Sequence, residues 1–227
     1  MKNILLLLTM ALLLVPSLAK GETMKEEKIL LPKPRYDGKV SFEETIRKRR
    51  TIRSFKSDAL TLSQLSQLLW AAQGITDERH GYRSAPSGGA LYPLDVYAVI
   101  GKDGVRELSA GVYRYLPDGH ALEKVMEGDK RAEVARASLW QDWMARAPVS
   151  LVITSEYGRI TCKYGERGVR YAQIEVGHVG QNIFLQAEAL GLGAGIVGAF
   201  DDNAVAQVIG ALPDHEPLLV MPVGYKR

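Results

Sequence analysis

Cysteine occurs once in the 227 residues, at Cys162, so no internal disulfide can form even in an oxidising compartment. The four histidines are scattered, and neither an HExxH motif nor a Cys/His cluster exists. Glu175-Val176-Gly177-His178 has the Glu-x-x-His spacing of di-iron bundles, but those need a second such motif and two more Glu. No metal site is therefore expected. The absence of GxSxG removes the usual setting of a serine nucleophile. Charge of one sign is also scarce in excess: 29 Lys and Arg face 26 Asp and Glu, for a net +3. That balance suits an anionic small ligand, whereas nucleic acid would need a long basic face. There are no repeats and no low-complexity segments.

Long apolar runs are confined to residues 4–15, which follow Lys2 and precede Pro16-Ser17-Leu18-Ala19. Positive start, short apolar core and small residues before a cut after Ala19 form a secretory signal pattern, too short for a comfortable membrane span. Residues 1–19 are thus expected to be a signal peptide for export, with an uncleaved membrane anchor as the alternative. Residues 20–40 are polar and contain Pro, and predict a flexible lead-in. Residues 41–227 suffice for one domain burying roughly 70% of its unfolded surface. Composition there is ordinary for a globular protein.

Ser41-Phe42-Glu43-Glu44 and Thr61-Leu62-Ser63-Gln64 each read as a capping box opening a helix. The first helix is short and runs into Lys48-Arg49-Arg50; the second carries Leu62, Leu65, Leu69 and Ala72 and stops at Gly74. Residues 75–93 read as loop. Strands are expected at 94–100, 111–116, 121–125, 149–154 and 218–223, with Pro117-Asp118-Gly119 as a hairpin turn. Helices are expected at 132–146, along the face of Val176, Val179, Ile183, Ala187 and Leu190 up to Gly191, and from Asp201 or Asp202 to Ile209. Hairpins with intervening helices predict an α+β fold.

Gly193-Ala194-Gly195-Ile196-Val197-Gly198 matches GxGxxG, but it follows a helix rather than a strand, so a dinucleotide fingerprint fails on context. Glycines there still permit close backbone approach to a flat ligand. Arg49-Arg50-Thr51-Ile52-Arg53-Ser54-Phe55 admits two readings. It is a solvated basic helix end, or a phosphate site in which forked guanidiniums flank a hydroxyl.

That segment resembles the N-terminal flavin motif of the nitroreductase superfamily. Arg83-Ser84-Ala85-Pro86-Ser87-Gly88-Gly89-Ala90-Leu91-Tyr92-Pro93 resembles its second signature, in the form of SagB-type dehydrogenases. Lys163-Tyr164-Gly165-Glu166-Arg167-Gly168, Glu175, His178, Gln181-Asn182 and Gly191-Leu192-Gly193 continue the likeness in order across residues 41–227.

The resemblance implies FMN as cofactor, a mostly antiparallel sheet flanked by helices, and a domain-swapped homodimer. Arg49, Arg50, Thr51 and Arg53 would hold the phosphate, ribityl chain and pyrimidine edge, with Lys226 and Arg227 completing the phosphate site. Pro86, Ser87 and Gly88 would contact the isoalloxazine ring, usually from the partner subunit, while Gly198 and Ala199 would offer N–H groups near N5. Lys163 and Tyr164 are similar to the pair that serves dehydrogenation in azoline-oxidising members. Trp140 and Trp143 would cover the flavin face or pack their helix. Unlike peptide-modifying members, this chain has a signal pattern and no long N-terminal domain. A small organic substrate is therefore expected, and a nicotinamide donor is not.

Overall fold

The computed structural model describes residues 28–227, so the signal pattern and the first part of the lead-in lie outside the described residues. Seven strands form one sheet in the order β1-β6-β5-β4-β7-β9-β8, every neighbouring pair antiparallel. They are β1 (Lys28–Leu30), β4 (Leu94–Ile100), β5 (Gly111–Leu116), β6 (Ala121–Glu127), β7 (Val149–Glu156), β8 (Leu192–Ala194) and β9 (His215–Tyr225). A small hairpin, β2 (Ile75–Asp77) and β3 (Tyr82–Arg83), stands apart. The helices are α1 (Phe42–Lys48), α2 (Leu62–Gln73), α3 (Arg131–Ala137), α4 (Gly158–Tyr164), α5 (Arg167–Ala189) and α6 (Asp202–Ile209). The α+β class is as expected.

Alternation along the central strands explains the layering. Leu94, Val96, Ala98 and Ile100 of β4 face the core shared with α2 and α5, while Tyr97 and Val99 face the core under α3 and α6. Since successive strand side chains point to opposite faces, two apolar sets make a sheet that must be covered twice. β7 follows the same rule, with Leu151 and Ile153 on the first face and Val152 on the second.

Several expectations need correction. The lead-in carries a strand, because residues 28–30 pair with β6 at the sheet edge. The loop at 75–93 includes the β2–β3 hairpin. The expected helix at 132–146 ends at Ala137, where Leu139 and Trp140 take positive φ of 55° and 60°, and resumes only as a single 3-10 turn at Met144–Arg146. The Thr61–Gln64 box closes fully, whereas Ser41 accepts from Glu44 N while the Glu44 side chain pairs with Lys48 instead.

Asp129 anchors the start of α3. Its carboxylate accepts from Arg131 N at 3.1 Å and Lys102 N at 2.9 Å, and meets Arg131 Nη2 at 2.6 Å. Gly101 makes room for that guanidinium, since a Cβ there would stand 1.9 Å from Arg131 Cζ. Burial pushes the Asp129 carboxyl up, but the bonds from Arg131 and Lys102 outweigh it and bring it down to about 2. A carboxyl depressed in the fold stabilises above its unfolded pKa, and that contribution is lost as pH falls toward 2. Asp129→Asn is therefore expected to cost about 1–2 kcal/mol at pH 7, allowing for partial exposure. In denaturant titrations the gap to wild type should shrink below about pH 4 and close near pH 2.

Candidate active site

The arginine segment leaves α1 and is laced onto the end of the sheet. Thr51 bridges Ala194, Ile52 N donates to Ala194 O at 2.8 Å, Phe55 bridges Lys226, and Lys56 N donates to Tyr225 O at 3.0 Å. The glycines of the GxGxxG stretch make this contact possible. A Cβ on Gly193 would lie 2.7 Å from Ile52 Cγ1, and one on Gly195 would lie 2.7 Å from Trp143 and 2.9 Å from Ile52 O. They serve packing of this chain against itself, in keeping with the failed dinucleotide context.

Along this segment Arg49 lies over the Phe184 ring of α5 at 5.1 Å, and Arg53 over Trp143 at 5.7 Å. Neither has an ion-pair partner among the described residues. Arg50 behaves differently: its Nη1 donates to the carbonyls of Arg47 and Arg49 at 3.1 and 2.7 Å, satisfying the end of α1. Trp143 stacks on Phe55 at 6.4 Å, so its role is packing, whereas Trp140 is exposed. Gln141 ties this corner to the next loop, donating to Ala199 O at 3.3 Å. Gly198 and Ala199 are exposed, and their N–H groups meet no acceptor among the described residues.

The two C-terminal cations point apart. Lys226 Nζ donates to both Glu188 oxygens at 2.6 and 2.7 Å, on the α5 side. Arg227 lines a separate open cleft of about 590 Å³ with Lys56, Lys102 and Arg146. Of the two, Lys226 reaches α5, whose Phe184 lies under Arg49.

Pro86, Ser87 and Gly88 belong to a loop that folds through a 3-10 turn at Gly88–Ala90, with Gly89 at φ 64°. The loop presses on α4 and α5. A Cβ on Gly88 would lie 3.3 Å from Ile160 and 3.4 Å from Tyr171, and one on Gly89 only 2.7 Å from Tyr164 Oη and 3.2 Å from Lys163 Nζ. Lys163 sits over the Tyr164 ring at 5.4 Å, and Tyr164 meets Tyr171 edge-on at 5.1 Å. The pair suggested by the sequence therefore does adjoin the Pro86–Gly88 loop.

These two groups do not meet within one chain. Phe184, under Arg49, and Tyr171, under Gly88, are 13 positions apart on α5, hence about 20 Å along the axis and about 220° around it.

A family model described as the Nitroreductase family matches residues 46–225. The chain belongs to the nitroreductase family. A Methanocaldococcus jannaschii protein carrying a nitroreductase name is 44% identical over 189 residues, covering 82% of this chain and 92% of its own. The microcin B17-processing protein McbC of Escherichia coli is 30% identical over 153 residues, 66% of this chain and 56% of its own length. A crystal structure from Ralstonia eutropha, described as a nitroreductase, has a TM-score of 0.78 at 31% identity, over 89% of this chain and 90% of that one.

Two polar clusters of this nitroreductase-family chain did not show as clusters in the sequence, although Glu175 itself stands among the residues that carry the family likeness. Asp95, Glu156, Arg159 and His215 cluster where β4, β7 and β9 meet the start of α4. Arg159 Nη1 reaches Asp95 at 2.6 Å and donates to Tyr92 O at 3.4 Å. Burial holds the His215 imidazole below its ordinary range, against the pull of Asp95. The signal was Asp95 itself, a carboxylate inside an otherwise apolar central strand. The second group surrounds Glu175, whose burial at 1% exposure pushes its carboxyl up. No metal-holding group of His, Cys, Asp or Glu exists among the described residues.

Proposed function

We propose that the protein is an exported, homodimeric, FMN-dependent oxidoreductase that moves hydride to and from a small organic substrate. The observation that carries this reading is the pairing of two unpaired guanidiniums, Arg49 and Arg53, with the unfilled N–H groups of Gly198 and Ala199 at the same corner. Cations suit a phosphate and an electron-rich pyrimidine edge, and free backbone donors suit a ring nitrogen. The donor set thus fits FMN. Arg49 and Thr51 would hold the phosphate end with Lys226 once it releases Glu188, and Arg53 would face the pyrimidine edge. Arg50 and Arg227 stand further from this role.

The family and the separation along α5 both favour a dimer, in which the Pro86–Gly88 loop and Lys163–Tyr164 of one subunit complete the corner of the other. When bound, FMN supplies reversible hydride acceptance at N5, a chemistry no side chain offers. The protein binds, orients and excludes water, and Lys163 or Tyr164 takes up a substrate proton. Export would separate the reaction from cytoplasmic nicotinamides. A second reading, azoline dehydrogenation on a peptide, is favoured by the likeness to McbC together with the placement of Lys163 and Tyr164 against the Gly89 turn.

Purified protein is expected to be yellow or to gain flavin absorbance with added FMN, and to cycle it anaerobically with a reductant and then a quinone. Each of Arg49→Ala and Arg53→Ala is expected to weaken FMN binding about 10–100-fold, the value of one charge-assisted contact. Protein that stays colourless with FMN overturns the reading. Bound flavin that no donor or acceptor cycles would make it a flavin carrier.

A further inference from the structure

Behind the Pro86–Gly88 loop, five polar residues form a chain that spans α2, β3, the loop and α5. Glu175 Oε1 accepts from Gln73 Nε2 at 3.4 Å. Gln73, also 1% exposed, accepts from Arg83 Nη1 at 2.9 Å. Arg83 N donates to Tyr92 Oη at 3.0 Å, and its guanidinium covers the Tyr92 ring at 4.6 Å. Tyr92 N donates to Ser87 Oγ at 2.9 Å, which ends the chain on the loop.

This arrangement is costly as packing. Glu175 lies on the α5 stripe that includes Ala172, Val176 and Val179, where an apolar side chain would do. Its Oε2 has no hydrogen-bond partner among the described residues. Burying such a group is unfavourable unless its partners repay it, and partly satisfied networks are expensive. What the chain does supply is a fixed loop: three residues with positive φ, Gly89, Ala90 and Tyr92, lie between the two loop residues it joins, Ser87 and Tyr92, or at them. Such strained backbone persists only where surrounding contacts over-determine it.

We propose that Glu175 is the positioning residue of this loop, holding Tyr92 through Gln73 and Arg83 and Ser87 through Tyr92, so that the Pro86–Gly88 backbone and the Gly89 turn stay set against Lys163 and Tyr164. The proposal rests on the reading above that this loop meets a flavin ring. Glu175 touches neither substrate nor cofactor; it acts through Gln73, Arg83 and Tyr92.

The test compares full-length wild type, Glu175→Gln, Glu175→Leu and Ser87→Ala. In protein without added flavin, amide hydrogen exchange at residues 87–92 should speed up at least about tenfold in Glu175→Leu and stay near wild type in Glu175→Gln, whose carboxamide can fill the same place. With FMN, Glu175→Leu should keep its flavin affinity within about threefold. Its visible flavin band and circular dichroism should shift, and kcat/KM should fall about 10–100-fold, as for a slightly misplaced reacting group. The Ser87→Ala/Glu175→Leu double variant should lose no more than the worse single change. If Glu175→Leu does not fold, Ser87→Ala and Glu175→Gln carry the same exchange comparison from the exposed side. Unchanged exchange at 87–92, or independent losses in the double variant, overturns the positioning role whether or not flavin binds. Failure of wild type to bind FMN overturns the flavin reading alone, and leaves the exchange result to decide for or against Glu175.

Discussion

Lys163→Met is expected to lower kcat/KM for a substrate that must shed a C–H proton by about 100-fold or more, with FMN binding retained. The side chain stands on the last turn of α4, over the Tyr164 ring and within reach of the Gly89 turn, while Arg49 and Arg53 lie elsewhere on the chain. Removing its amine should therefore leave the phosphate end untouched. Tyr164→Phe should do less if Tyr164 only orients the lysine, and as much if its hydroxyl is the proton acceptor. The check is steady-state kinetics with two kinds of substrate, one needing proton removal and one, such as a quinone, that only receives hydride. The dehydrogenation loss should exceed the quinone loss several-fold. Equal losses in both would instead assign the pair to the shape of the loop, since a displaced ring surface harms every reaction alike.

Most of the sheet was legible because its strands obey one simple rule. The run at 149–154 is apolar on both faces, so it could only be central, and β7 does lie between β4 and β9. Caps were legible for a similar local reason: Thr61 and Gln64 sit three residues apart and satisfy each other. The break after Ala137 was not legible. Leu139 and Trp140 have no intrinsic preference for positive φ; what ends the helix is tertiary, with Asp201 N taking the carbonyl of Ala137 and Gln141 N that of Ala135. β1 was missed because three residues carry almost no periodicity, and their pairing with β6 is decided some ninety residues away.

The site divides along the same line. Arg49, Thr51 and Arg53 lie within one short motif, and Lys163 beside Tyr164 is a dipeptide, so sequence order alone displays them. Glu175 was visible as half of a di-iron pattern that fails and as one residue of the family likeness, but not as the end of a polar network. Its partners Gln73, Arg83 and Ser87 lie 102, 92 and 88 positions earlier, and only the fold brings α2 and the loop onto α5. Arg50, by contrast, belongs to the motif but not to the cluster, because the end of α1 has carbonyls that need a donor and Arg50 is the nearest one.

Gly195→Ala is expected to destabilise the protein by about 2–3 kcal/mol and to weaken FMN binding with it. Gly195 has no positive φ, so the argument is steric. The added methyl would stand 2.7 and 2.8 Å from two Trp143 ring carbons and 2.9 Å from the backbone oxygen of Ile52. The ring cannot simply rotate away, since it is stacked on Phe55 and lies beneath Arg53. The Ile52 carbonyl is backbone of the arginine segment, so relief must come from shifting the segment that presents Arg49, Thr51 and Arg53. For a domain of this size the melting temperature should fall by about 5–10 °C. Gly198→Ala is the control from the same stretch: its Cβ would enter open space, and its stability should stay within about 0.5 kcal/mol of wild type. Thermal unfolding of the two flavin-free variants beside FMN titration of each separates the effects. A Gly195→Ala protein that melts with wild type would mean Trp143 can swing clear, and the close approach of the arginine segment to β8 would then not depend on that glycine.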